Sequence, residues 1–380
     1  MGKRKRNKLC WCGSGKKYKN CHYGREAEPS VPLSEILTVH KKLWTKEYCL
    51  HPLQNLCSGN IVKAHTIQKQ GSLEKISKKG HVYTFKTDTA KIIKTGQPEI
   101  NLIGIKKAST FTGFCSYHDN DVFRPIEKDN FSINEETSFL LAYRVLCHEL
   151  FLKTAWKEEL FYIKNNLDKG KTLEEQIRIQ DIADSLLIGV ESAVTELTQI
   201  KARYDDSLVK QDYKDTKYYA ILLEDTPTFV CSGFTQPIYD FLGNKLQDLA
   251  KLDVFSENLA FSIIATNFGG VILYSWVDKN ISSTRLIKSL SNLTYQKQLN
   301  ASAQFAFENF ENLYISPNWW ETLDPKLQQD LFRRQLSGYP GYPHYPSNLL
   351  EDEIELISWK VTDIVTNLNN EELQKPIEIQ

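Results

Sequence analysis

The chain has 380 residues, 41% of them apolar and 25% charged, with 47 Lys/Arg against 47 Asp/Glu. That composition is ordinary for a globular protein and leaves room for two or three domains. No apolar run approaches the roughly 18 residues of a membrane helix, and eight cysteines in such a length are too few for a secreted disulfide scaffold. With no cleavable leader in the basic N-terminus, cytoplasm is the expected location.

The balanced charge hides an asymmetry. Residues 1–25 carry nine Lys/Arg and no acid, residues 26–130 carry fifteen basic and eleven acidic side chains, and the remainder is net −13. A basic first third suits an anionic partner such as nucleic acid, although Lys3-Arg4-Lys5-Arg6 taken alone also reads as a solvated arm.

Within it, Cys10, Cys12, Cys21 and His22 fall inside thirteen residues, the ligand set of one tetrahedral zinc site. So short a loop has no apolar core, and a metal must supply most of its folding energy. Gly13 and Gly15 permit the turns that fold the second pair onto the first. The run Cys10-Trp11-Cys12-Gly13-Ser14-Gly15-Lys16-Lys17-Tyr18-Lys19-Asn20-Cys21-His22 closely resembles the SEC-C motif, with Trp11 where proline is common. The resemblance covers residues 8–24 and implies an accessory module that binds a protein partner, nucleic acid or a membrane surface.

Residues 26–34, with two prolines, read as a linker, which extends to residue 48 before the next cysteine. A second constellation follows: Cys49-x7-Cys57-x7-His65, then Cys115-Ser116-Tyr117-His118-Asp119. Two ligands from each of two distant knuckles make a treble-clef zinc site, here Cys49, Cys57, Cys115 and His118. The order of parts over residues 49–130 resembles a zinc-stapled HNH endonuclease. The resemblance implies that His65 is the general base and Asp119 a ligand to a catalytic Mg²⁺ or Mn²⁺, beside two structural Zn²⁺ in the whole chain. Ala64 departs from the family, which places a metal-binding Asp or His there, and Asn101 is the nearest candidate for the middle Asn. A fourth or fifth zinc ligand and a packed core histidine are the other readings of His65. Ala64-His65-Thr66-Ile67-Gln68 and Gly113 to Asp119 also resemble uncharacterised bacterial proteins of the kind found in mobile-element or anti-phage defence.

Inside this region short strands are expected at 82–85 and 100–105, a short helix at 72–77 and a closing helix at 120–127. From Ser132, apolar residues recur at helical spacing through Phe139, Tyr143, Leu146, Leu150 and Leu160. After a turn at Asp168-Lys169-Gly170 they recur from Leu173 to Leu197, so 131–212 reads as a helical hairpin, with a homo-oligomer contact left open. Cys147-His148 and Cys231 lack ligand-spaced neighbours and read as core. Strands follow from Lys217, with a hairpin over 260–277, then helices at about 283–313 and 322–336 and aromatic segments at 318–320 and 339–346. No phosphate loop, nucleophile elbow or zinc-protease helix occurs, and residues 213–380 form an α+β domain of unassigned role. Acidic pairs such as Asp205-Asp206 and the run 351–353 read as solvated.

The expected fold is α+β: a zinc knuckle, an HNH-like treble-clef domain, a helical hairpin and a mixed C-terminal domain with antiparallel strands. The expected function is a nucleic-acid-binding zinc protein with HNH-like endonuclease chemistry. The alternative is a non-catalytic adaptor for nucleic acid, the ribosome or a protein partner, recruited through the SEC-C motif or the acidic C-terminal body.

Overall fold

The computed structural model describes residues 6–85, 99–127, 132–251, 254–277, 280–336 and 355–374. Residues 3–5, the aromatic segment 339–346 and the acidic run 351–353 lie outside the described residues. In chain order the main elements are helix α1 (Leu33–Trp44), strands β1 (Ile61–His65), β2 (His81–Thr84), β3 (Asn101–Gly104) and β4 (Thr110–Cys115), and helix α2 (Ser116–Glu127). The long helices α3 (Glu135–Asn166) and α4 (Leu173–Lys210) come next, then β5 (Thr216–Leu223), β6 (Phe229–Thr235), β7 (Leu259–Thr266) and β8 (Gly269–Val277). The chain closes with α5 (Ile281–Ser291), α6 (Tyr295–Asn309), β9 (Leu313–Ile315), α7 (Pro325–Gln335) and β10 (Val361–Thr366). It is an α+β protein with antiparallel sheets.

Contacts divide the chain into two units, residues 1–46 with 150–199, and residues 47–149 with 200–380. In the first, Thr172 and Glu175 start α4 with a reciprocal capping box, backbone N–H to side-chain oxygen at 2.9 and 3.3 Å. Leu160 of α3 packs on Leu187 and Val190 of α4 there. The segment 26–48, expected as a linker, holds α1. Its side chains tie it to α3: Glu159 accepts from Trp44 Nε1 at 2.6 Å and meets His40 Nδ1 at 2.9 Å, while Tyr162 donates to Glu35 at 2.9 Å.

The second unit holds an eight-stranded sheet in the order β10-β5-β8-β7-β6-β9-β2-β3 and a separate pair, β1-β4. Alternation along its strands sorts side chains between two layers. Phe229, Cys231, Leu313 and Ile315 face the large core with α5 and α6, whereas Val230, Tyr314 and Val82 face a smaller cluster with Ile67, Leu73 and Ile76. Strands β2 and β3, which lie in sequence between β1 and β4, therefore belong to the sheet built mainly from the C-terminal half, joined through Tyr83 opposite Ile315. The helical stretch expected at about 283–313 consists of two helices separated at 292–294, with β9 beginning at Leu313.

Candidate metal centres

In the first unit, Cys10 N–H donates to Lys16 O at 2.8 Å and Tyr18 N–H to Lys8 O at 2.8 Å, so residues 8–18 form a tight loop. Gly13 and Gly15, with φ of 71° and 70°, turn it back on itself. His22 Nδ1 then lies 3.2 Å from both Cys10 and Cys21 Sγ, and Cys12 Sγ lies 3.5 Å from Cys21 Sγ. A tetrahedral zinc with thiolate and imidazole ligands sets those atoms roughly 3.5–3.8 Å apart, whereas a disulfide needs about 2.05 Å. The donor set fits zinc, and all eight cysteines are free thiols. Thiols this close compete for protons: burial pushes Cys10 up to about 11. For Cys12 burial is outweighed by hydrogen bonds from Ser14 and its neighbours, which bring it down to about 7. A dication removes that competition by holding every thiol as thiolate.

The second cluster lies in the second unit. Opposite Thr112–Gly113 the β1–β4 register slips by one residue, between Val62 and Ala64. Successive carbonyls of a regular strand point opposite ways, but here both Thr112 O and Gly113 O accept from the segment preceding β1, from Tyr48 N–H at 3.3 Å and Leu50 N–H at 2.9 Å. That seats Cys49 over Cys115, whose N–H points at Cys49 Sγ from 3.4 Å. Gly113 is required at the slip, because a Cβ there would sit 2.3 Å from the Phe111 ring. His118, in the first turn of α2, places Nδ1 3.4, 3.6 and 3.3 Å from the sulfurs of Cys49, Cys57 and Cys115. The seven-residue gap between Cys49 and Cys57 folds back through a 3₁₀ turn at Gln54–Leu56, with Gln54 Nε2 donating to Cys49 O at 3.0 Å. Both clusters hold four ligand atoms within 4.8 Å of one another, and each could hold a zinc ion.

β1, β4 and α2 form a ββα unit around this cluster. His65 ends β1 opposite Thr110, away from the zinc donors, so it is not among the four clustered ligands. Its Nε2 lies 3.2 Å from Ile105 O, an arrangement in which Nε2–H donates and Nδ1 keeps its lone pair. Burial lowers its pKa; the Ile105 carbonyl opposes, and the Arg144 charge adds to the lowering. Asp119, one residue past His118, is raised by burial against the opposing charge of Arg144 and with that of Glu127, and its Oδ1 is buried without a hydrogen-bond partner. Arg144 of α3 is buried, lies over the Phe123 ring at 4.1 Å and pairs with Glu127 at 2.6 Å. His65 and Asp119 thus share the field of one Arg144–Glu127 pair. Ala64 offers no side-chain ligand atom, and Asn101 sits on β3 in the eight-stranded sheet. Among the described residues no third group of three or more metal donors forms, and Asp119 is a member of neither cluster.

Residues 6–24 match the family model of the SEC-C motif. No curated protein and no solved structure matches the chain.

Three residues at these centres carry no sequence signal. His51 stacks on His118 with centroids 3.7 Å apart, Arg144 reads as an ordinary helix position, and Asp168 meets His22 across 146 residues. Cys147 and Cys231 are fully buried, and their thiols are raised by burial, Cys147 to about 12. Asp205, expected to be solvated, accepts from Tyr143 Oη and Lys201 Nζ, both at 2.7 Å.

Proposed function

We propose that this chain is a zinc-stapled nucleic-acid-binding protein whose ββα unit hydrolyses a phosphodiester bond in the manner of HNH endonucleases. The observation that carries the reading is the placement of His65. It ends the first strand of a ββα unit held by four zinc donors, with Nε2 directed at a backbone carbonyl and the opposite nitrogen left as a proton acceptor. A neutral imidazole so held takes a proton from water at neutral pH. Arg144 supplies buried positive charge beside it, and the basic first third suits a phosphate backbone. Defence against mobile elements remains part of this proposal through the resemblance of the His65 and Cys115 segments.

Two observations favour the adaptor as second reading. Ala64 removes a metal ligand of the HNH pattern, and the Arg144 charge acts on Asp119 where a divalent ion would be needed. One assay separates them. Zinc-loaded protein is incubated with plasmid DNA and with structured RNA, with Mg²⁺ or Mn²⁺, beside His65→Ala. Cleavage that falls about 10²–10⁴-fold in the variant, at unchanged zinc content, supports the nuclease. Binding without cleavage in either metal supports the adaptor.

A further inference from the structure

The SEC-C cluster is completed by a residue far outside the motif. The other nitrogen of His22, Nε2, lies 2.7 Å from Asp168 Oδ2, and Asp168 is fully buried in the turn between α3 and α4. Asp168 is itself held: Oδ1 accepts from Arg25 Nε at 2.7 Å, and Oδ2 also accepts from Gln180 Nε2 at 2.9 Å. Arg25, three residues past His22, further donates to Asn165 O, and its own carbonyl accepts from Gly170 N–H at 3.0 Å. Gly170 is fixed by this approach, since a Cβ there would lie 2.8 Å from Glu28 O and its φ is 69°.

A buried carboxylate facing one imidazole nitrogen, while the other faces three thiols, has a specific consequence for a metal. It holds the tautomer that exposes Nδ1, fixes the ring plane and raises the basicity of the ligating nitrogen. The geometry points to Asp168 as the outer-shell carboxylate of the SEC-C zinc, so that the knuckle and the turn of the helical hairpin form one metal-dependent element. Asp168 is a positioning residue: it acts on the metal through His22. Burying an ionised carboxylate in a turn is costly unless it is paired, and here the partners are one imidazole, one guanidinium and one amide. This inference requires zinc at residues 10–22 and is independent of any cleavage chemistry.

The test is chelator competition on the full zinc-loaded chain, comparing wild type, Asp168→Asn and Gln176→Leu, with helix content followed by circular dichroism. Asp168→Asn is expected to loosen one of the two zincs roughly 10–100-fold and leave the other unchanged. Gln176→Leu, which removes a 2.8 Å bond to Lys171 O in the same turn but leaves every partner of Asp168 in place, is expected to hold both zincs near wild-type affinity. Unchanged affinity in Asp168→Asn overturns the assignment, and so does equal loosening in both variants, which would make the effect one of packing. Should Asp168→Asn not fold, hydrogen exchange of the wild-type chain serves instead. Withdrawal of the SEC-C zinc should raise exchange across residues 163–172, and unchanged exchange there refutes the coupling.

Discussion

In the proposed nuclease reading His65 is the general base, and its titration is testable by itself. Burial lowers its pKa, with the Arg144 charge acting in the same direction and the Ile105 carbonyl and Glu127 acting against. Lys69 adds a further small lowering. The imidazole is therefore neutral at pH 7, and the acid limb of a His65-dependent rate should lie below the ordinary histidine value of about 6.5. A pH–rate profile checks this, and a limb above 6.5 would contradict it. Arg144→Met should move that limb upward. The same sign governs stability. Below about pH 6.5 the unfolded chain binds this proton first, so the contribution is present at neutral pH and is lost as pH falls through the folded value. Tyr143 offers a second test at this scale, because it donates to Asp205 from within the core. Tyr143→Phe leaves the Lys201–Asp205 pair in place and should cost about 1.5–3 kcal/mol in denaturant unfolding, the range for a hydrogen bond to a charged group.

At the scale of elements, the two cysteine clusters sit in different settings and should respond differently to loss of a ligand. The knuckle over residues 8–22 has turns and a short bridge but little apolar packing of its own, so its order depends on the metal. Around the second cluster Phe114 and Phe123 are fully buried edge-to-face at 5.2 Å, and Phe111 meets Phe114 at 5.8 Å. Cys12→Ser and Cys115→Ser should each lower the zinc content from two to one per chain. The second should also lower the melting temperature more, because β4 and α2 anchor that aromatic cluster. Metal analysis with calorimetry reads both effects. The eight-stranded sheet has its own tight point at Gly233 on β6, where a Cβ would fall 2.1 Å from the Phe310 ring. Phe310 stacks on Phe261 at 5.2 Å and cannot retreat freely, so Gly233→Ala should destabilise by about 1–3 kcal/mol through overpacking. Denaturant unfolding measures it.

For the whole molecule the governing property is the uneven distribution of a net charge of zero. Nine cations without an acid lie in residues 1–25, against a net −13 beyond residue 130, and the proposed function takes this basic first third as the face for a polyanion. If that partner is nucleic acid, the logarithm of the binding constant should fall linearly as the logarithm of salt concentration rises, at about 0.9 per phosphate contacted on duplex DNA. A flat response would direct attention to a protein partner. No helix among the described residues is long and apolar enough to cross a membrane.

Local chemistry was enough for much of this. Thiols and an imidazole at C-x-C and C-H spacing, with glycines where φ must be positive, define the first cluster without reference to the rest of the fold. Helical and alternating periodicity placed α3, α4 and the β7–β8 hairpin, because those patterns record which side chains must leave water. Tertiary structure decided whatever depends on partners distant in sequence. The wide Cys49–Cys57 spacing works because a register slip in β4 turns two carbonyls toward residues 48–50. Strands β2 and β3 join the large sheet because their pairing edge is completed by β9, more than two hundred residues away. The carboxylate behind His22 comes from a turn that local propensity marks only as a turn. A sequence states which groups are available, whereas a hydrogen bond across 146 residues exists only once the helices that carry it have packed.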